Sequence, residues 1–305
     1  MSSEDFASLN VPASVFSILV NFFFVYCKVF RQHKQEQLKQ PLNVLQGILV
    51  GCNIVISICT LLKVCMNVYP SRWAYFPIVV SQCMVYTMMT SVTSSFWQNV
   101  FYYCQITPKQ SYFIWLKKSL RVFIYCALLI NMMVYLFGLS LIPAIVVILN
   151  NYANNNDTST DSVINSPLAN IVTMWYSVSS VTLCLLILNL CGMSTSSYAT
   201  VIYLWKHLKN MEQSSSLSSP RFQRQIWMTI RSIALHALLH FICSMGVIVV
   251  SSLCMYSELN CDLNGNTLCT FISFYALGTT ISLGIAQSLF RQQIACVWKK
   301  MFPIF

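Results

Sequence analysis

Charge is what this sequence has least of. Only 9% of its 305 residues are Asp, Glu, Lys or Arg while 56% are hydrophobic, too little polarity to cover a surface that faces water. No Asp or Glu falls inside any of the long apolar runs. A proton or sodium pump needs carboxylates at membrane depth, and a pocket for a cationic amine needs a buried acid to pair with it, so both are disfavoured. The last apolar run has no Lys to hold retinal as a Schiff base, which argues against an opsin. Phosphate-cradling glycine loops, GxSxG elbows, paired carboxylates and internal repeats are missing too. Nothing supports catalysis or calls for a cofactor, and the chain reads as a non-enzyme.

What remains is apolar sequence in blocks, at roughly 11–30, 42–62, 74–104, 120–148, 168–205, 226–253 and 267–290. A spanning helix needs about 20 mainly apolar residues, at 1.5 Å of rise each, to cross roughly 30 Å of hydrocarbon. Each block meets that length, and the polar segments between them are too short to fold separately. The expectation is an all-α membrane protein, a single seven-transmembrane helix bundle over residues 1–305. The first ten residues are polar without a basic start, so no cleavable leader is expected and the first helix serves as the insertion signal.

Basic residues near helix ends stay on the cytoplasmic side. Placing alternate connections on one side collects sixteen of the eighteen Lys and Arg there and leaves Lys63 and Arg72 on the other, where six of the eight acids also fall. The N-terminus is therefore expected outside and the C-terminus in the cytoplasm of a multi-pass plasma-membrane protein. The net charge of +10 then faces anionic lipid and a cytoplasmic partner, and nucleic acid is not among the expected partners.

Fourteen cysteines suggest a disulfide scaffold until they are placed, for most stand inside the apolar runs, where they pack as small apolar groups. Cys261 and Cys269 share an outer connection in an oxidising compartment, and their spacing permits a bridge. Asn156-Asp157-Thr158 is a glycosylation sequon with an allowed middle residue, in a connection expected outside.

Inside the runs the polar atoms are amides and hydroxyls: Asn21, Asn53, Ser81, Gln82, Gln98, Asn99, Asn131, Asn189, Thr279 and Thr280. They read mainly as hydrogen bonds between helices, with Gln82 also placed to orient a ligand. His236 and His240 stand one helical turn apart, but Ala237 occupies the place where a metalloprotease carries Glu, so no metal is expected. Met84, Val85, Tyr86, Thr87, Met88 and Met89 form a soft, polarizable stretch with one phenol, suited to a permissive pocket and equally to plain packing. Trp175, Tyr176, Ser179, Phe274 and Tyr275 add an aromatic vestibule on the fifth and seventh helices. The ligand this implies is small and amphipathic. Pro77, Pro143, Gly192, Gly278 and Gly284 are candidate interruptions of helices.

At the ends expected inside, the residues match a known pattern. Phe101-Tyr102-Tyr103-Cys104-Gln105-Ile106-Thr107 resembles Phe-Tyr-Phe-Leu-Lys-Ile-Ala, Trp115-Leu116-Lys117 resembles Trp-Leu-Lys, and Leu204-Trp205-Lys206-His207-Leu208-Lys209-Asn210-Met211 resembles Leu-Trp-x-His-x-x-x-Met. These are motifs of the type 2 taste receptors, the bitter-taste family, and the chain is similar to that family over almost its whole length. At the seventh helix Thr279-Thr280, Gln287, Leu289-Phe290-Arg291 and Gln292 replace most of the family's His-Ser and Asn-x-Lys-Leu-Lys, and Gln105 replaces its Lys, which marks a divergent member. The resemblance implies a G-protein-coupled receptor that takes small bitter compounds among helices three, five, six and seven and signals to a heterotrimeric G protein. Tyr102, Gln105, Leu204 and His207 would then sit at the cytoplasmic opening. A type 1 vomeronasal receptor is the nearest alternative; a small-solute transporter or channel is a more distant one, since it would usually show repeats and charged coupling sites.

Overall fold

The computed structural model describes residues 2–31, 40–68, 76–106, 111–154, 165–213, 220–256 and 265–286. Among them stand seven α-helices and no strand: α1 Ser3–Arg31, α2 Gln40–Val68, α3 Phe76–Ile106, α4 Ser111–Asn154, α5 Asn165–Gln213, α6 Pro220–Tyr256 and α7 Asn266–Ala286. Each contains a span long and apolar enough to cross a membrane. Hydrocarbon offers no partner for backbone amides and carbonyls, so segments that enter it close their hydrogen bonds internally as helix.

Most helices run further than the apolar blocks. α1 takes in the polar start because Ser2 caps it: its Oγ accepts from the Asp5 amide at 3.1 Å and donates to Asp5 Oδ2 at 2.5 Å. Glu4 and Asp5 thereby join a helix, in its exposed first turn, and Glu212 lies in the last turn of α5. Carboxylates enter these helices only at their ends. α2 continues past 62 to Val68 and carries Lys63 with it into the bundle, 2% exposed, in contrast to the outer connection expected for it. The helical order beyond 286, expected to 290, lies outside the described residues.

Side-chain contacts fix the sense of each helix. Asn10 and Asn21 of α1 bond to Thr270 and Thr280 of α7, so these two run parallel. Asn53 and Asn67 of α2 meet Thr280 and Asn266, the reverse order. α3 is antiparallel to α4 through Tyr86 on Tyr135 and Trp97 on Phe123. α6 opposes α7 through Phe271 on Gly246 and Leu239 on Gly278. The starts of odd helices and the finishes of even ones thus share one end, here the Phe6 end; the other is the Leu204 end.

The largest core lies toward the Phe6 end, where Phe6, Ile56, Met84, Met88, Val92, Leu186, Val247, Ile272 and Tyr275 pack together. Polar side chains knit it. Thr280 Oγ1 accepts from Asn21 at 2.7 Å and Asn53 at 3.2 Å, while Thr279 donates to Asn53 Oδ1 at 3.0 Å. Asn131 donates to Thr93 at 2.8 Å and Asn99 to Ser197 at 3.0 Å. Asn21, Asn53, Asn99, Asn131, Thr279 and Thr280 are interhelical, as expected; Asn189 instead bonds Leu185 O of its own helix. The outer face of α4 leaves Val122, Tyr125, Leu129, Ile130, Met133 and Phe137 bare, a surface suited to lipid and not to water.

The expected interruptions resolve differently. Pro77 sits in the first turn of α3, where a missing amide proton costs nothing, and α4 runs on through Pro143. Gly192 and Gly278 are sites of close approach: a Cβ at Gly192 would lie 2.8 Å from the Phe96 ring, and one at Gly278 would collide with Leu239.

Candidate ligand cleft and coupling end

α3 contains no polar face, so its packing decides which of its residues line space. Its Gln82, Val85, Tyr86 and Met89 turn toward Asn131, Val134, Tyr135 and Gly138 of α4 and Val178, Thr182 and Leu185 of α5, lining a narrow, partly open cleft. Tyr86 and Tyr135 stack across it with centroids 4.0 Å apart and planes at 18°. Gly138 leaves room on the α4 wall, where the nearest contact for a Cβ is Val178 at 3.6 Å. The lining is mainly apolar with two amides, two phenols and a hydroxyl, which can orient an uncharged or weakly polar amphipathic molecule.

Of the residues singled out from the sequence, Gln82, Tyr86 and Met89 come together in this cleft. Met84 and Met88 point the other way, 0% and 1% exposed in the main core. Tyr275 is equally buried: its hydroxyl lies 3.1 Å from Ser91 Oγ and its ring meets His240 edge-on at 5.5 Å. Phe274 and Tyr176 lie on exposed faces of α7 and α5, and Trp175 and Ser179 are half-buried near Val178 without lining the cleft. The cleft belongs to α3, α4 and α5, so these residues do not form one vestibule. Tyr135 and Thr182, which the sequence reading passed over, complete it.

At the Leu204 end, Phe101, Leu42, Leu45, Leu120 and Ile124 form one cluster, against which Tyr102 packs. The Tyr102 hydroxyl lies close to Gln98 of its own helix and Gln46 of α2. Leu204 and Leu208 of α5 seat on Ile226 and Ile230 of α6. His207, between them in sequence, is exposed. Gln105 lies in the last turn of α3, its side chain outside the described set. Leu204 and Tyr102 are thus packing residues that border this end, and His207 is presented outward from it.

His240 is fully buried with Nδ1 3.4 Å from Ser244 Oγ and no partner for Nε2 among the described residues, and no cluster of three metal-ligating groups occurs there. Cys269 is fully buried in the first turn of α7, its Sγ 3.9 Å from Ser81 Oγ. Cys261 and Asn156, and with them the candidate disulfide and glycan, lie outside the described residues.

A bundle of seven spans with an uncharged cleft and a hydrophobic seat between α5 and α6 fits a receptor. The family model for taste receptor protein (TAS2R) matches residues 3–301. The chain belongs to that family. It is therefore a seven-transmembrane member of the bitter-taste G-protein-coupled receptors. A comparison with curated proteins gives no match.

Proposed function

We propose that this receptor binds small amphipathic bitter compounds in the α3–α4–α5 cleft and activates a heterotrimeric G protein at the Leu204 end. The family match over residues 3–301 carries the reading. The cleft supports its first half, since Tyr86, Tyr135 and Met89 give polarizable walls and Gln82 an orienting amide. The second half rests on His207 and on the distribution of charge: the Lys and Arg flanking this end support a cytoplasmic location for it and an outer location for the Phe6 end. An agonist favours the active arrangement only through differential affinity for it, and the α5–α6 seat of Leu204, Leu208, Ile226 and Ile230 is the element whose repacking would open the G-protein face. Expression in cells with a calcium-coupled G protein and exposure to a panel of bitter compounds tests this. A dose-dependent, G-protein-dependent response is expected; solute uptake or current without it would replace the receptor by a transporter or channel.

A further inference from the structure

The described spans bury one lysine in the bundle. Lys63, 2% exposed in α2, points between α3 and α7, and its Nζ donates to Ser81 Oγ at 2.6 Å. Ser81 directs its own proton to Pro77 O at 2.9 Å, which turns a lone pair toward the ammonium. An ammonium carries three donors, and among the described residues Ser81 is its hydrogen-bond partner and no carboxylate forms an ion pair with it. The two described acids at this end, Glu4 and Asp5, sit on the exposed first turn of α1, where Asp5 is taken by Ser2. A charge removed from water and left with one hydroxyl is expensive unless an anion joins it.

The start of α7 lies beside Lys63. Gly265 enters α7 with φ +61°, and the spot where its Cβ would stand is bordered by Lys63 Nζ at 3.6 Å and Ser81 Oγ at 3.8 Å, with no other contact within 4 Å among the described residues beyond its chain neighbours. α7 then begins at Asn266, so the positive end of its helix dipole faces the same spot. A cation and a positive helix end converge where a side chain is missing. We propose that Lys63, Ser81 and the Gly265 backbone form an anion subsite that takes the carboxylate of an amphipathic organic acid. This goes beyond the α3–α4–α5 cleft to a second place between α2, α3 and the start of α7; its meaning as a ligand site rests on the receptor reading, while binding itself can be measured without signalling.

The test uses the purified full-length receptor and two probes of one shape, sodium 2-naphthoate and 2-naphthamide, at fixed ionic strength. The expected result is a rise of at least about 3 °C in the unfolding midpoint with saturating naphthoate and none with the amide. Lys63→Met should abolish the rise and Ser81→Ala should reduce it. Should Lys63→Met fail to fold, the acid and amide compared on the unaltered receptor still decide. Equal shifts for both probes overturn the subsite, as does an equal shift from chloride alone or a naphthoate shift that survives Lys63→Met. A shift that appears only after Asp262→Asn or Glu258→Gln overturns it too, because the chain's own carboxylate would then be the occupant. Loss of the receptor reading would show instead as silence in the G-protein assay with the naphthoate shift intact.

Discussion

Tyr86 of α3 and Tyr135 of α4 lie face to face with ring centroids 4.0 Å apart, forming a wall of the α3–α4–α5 cleft. Stacked pairs contribute about 0.5–1.5 kcal/mol beyond the area they bury. Tyr86→Ala and Tyr135→Ala are each expected to raise the half-maximal agonist concentration about 3- to 10-fold, with surface expression near that of the unaltered receptor. Because the rings act as a pair, the double variant should lose little more than either single one. Full additivity in dose–response curves would mean that the rings act independently, and unchanged potency in both single variants that the ligand does not use this wall.

Met88, 1% exposed among Met84, Val92, Ile272 and Tyr275, should behave differently. Truncating a buried Met to Ala costs about 2–5 kcal/mol through lost contacts and the cavity left behind. Met88→Ala is expected to lower the thermal midpoint and the amount of folded receptor at the surface. A normal midpoint with altered potency would move Met88 from the core to the ligand.

Met88 lies wholly in the main core while Met89, buried in the same core, also borders the cleft, a difference the sequence does not make legible. Adjacent residues on a helix are turned by about 100°, and a helix apolar all round offers no polar face to say which direction is inward. Block length is enough for seven spans, and lone amides and hydroxyls in apolar runs are enough to expect bonds between helices from Asn21, Asn53 and Thr280, though not that these three meet one another. Partners were not legible: Tyr135 stood in a run without pattern, and Gly192 and Gly278 looked like interruptions because the Phe96 and Leu239 side chains they receive are 96 and 39 residues away. Counting loops puts Lys63 in a connection, although Leu61, Leu62 and Val64 continue the apolar run around it.

Thr280 Oγ1 accepts from both Asn21 and Asn53, joining α1, α2 and α7 at one atom. Thr280→Val keeps the shape and removes the shared acceptor, leaving the Asn21 amide with Ser17 of its own helix and taking away the α7 partner of the Asn53 amide. Interhelical bonds in membranes average about 0.6 kcal/mol, and a stranded buried donor costs about 1–3 kcal/mol, so a fall of about 2–6 °C in the midpoint is expected. Asn189→Ala, which removes only a bond within α5, should change the midpoint by less than about 2 °C. Equal falls in both would show that the knot adds nothing.

Leu239 of α6 occupies the place where a side chain on Gly278 would stand. Gly278→Val should therefore push α6 from α7 and cost about 1–3 kcal/mol. Leu239→Ala made together with it should restore part of the midpoint, giving a favourable coupling in a double-mutant cycle. Two penalties that simply add would place the clash elsewhere.

His207 is exposed at the Leu204 end while its neighbours Leu204 and Leu208 are buried against α6, so its ring can be removed without disturbing the seat. His207→Ala is expected to weaken G-protein activation about 5- to 30-fold, the equivalent of about 1–2 kcal/mol of lost contact. Coupling between sites is reciprocal in binding. Agonist affinity measured without G protein should therefore be unchanged, while the gain in affinity that G protein confers should shrink. A variant with reduced agonist affinity in the absence of G protein would show that His207 acts on the bundle itself and not on the partner.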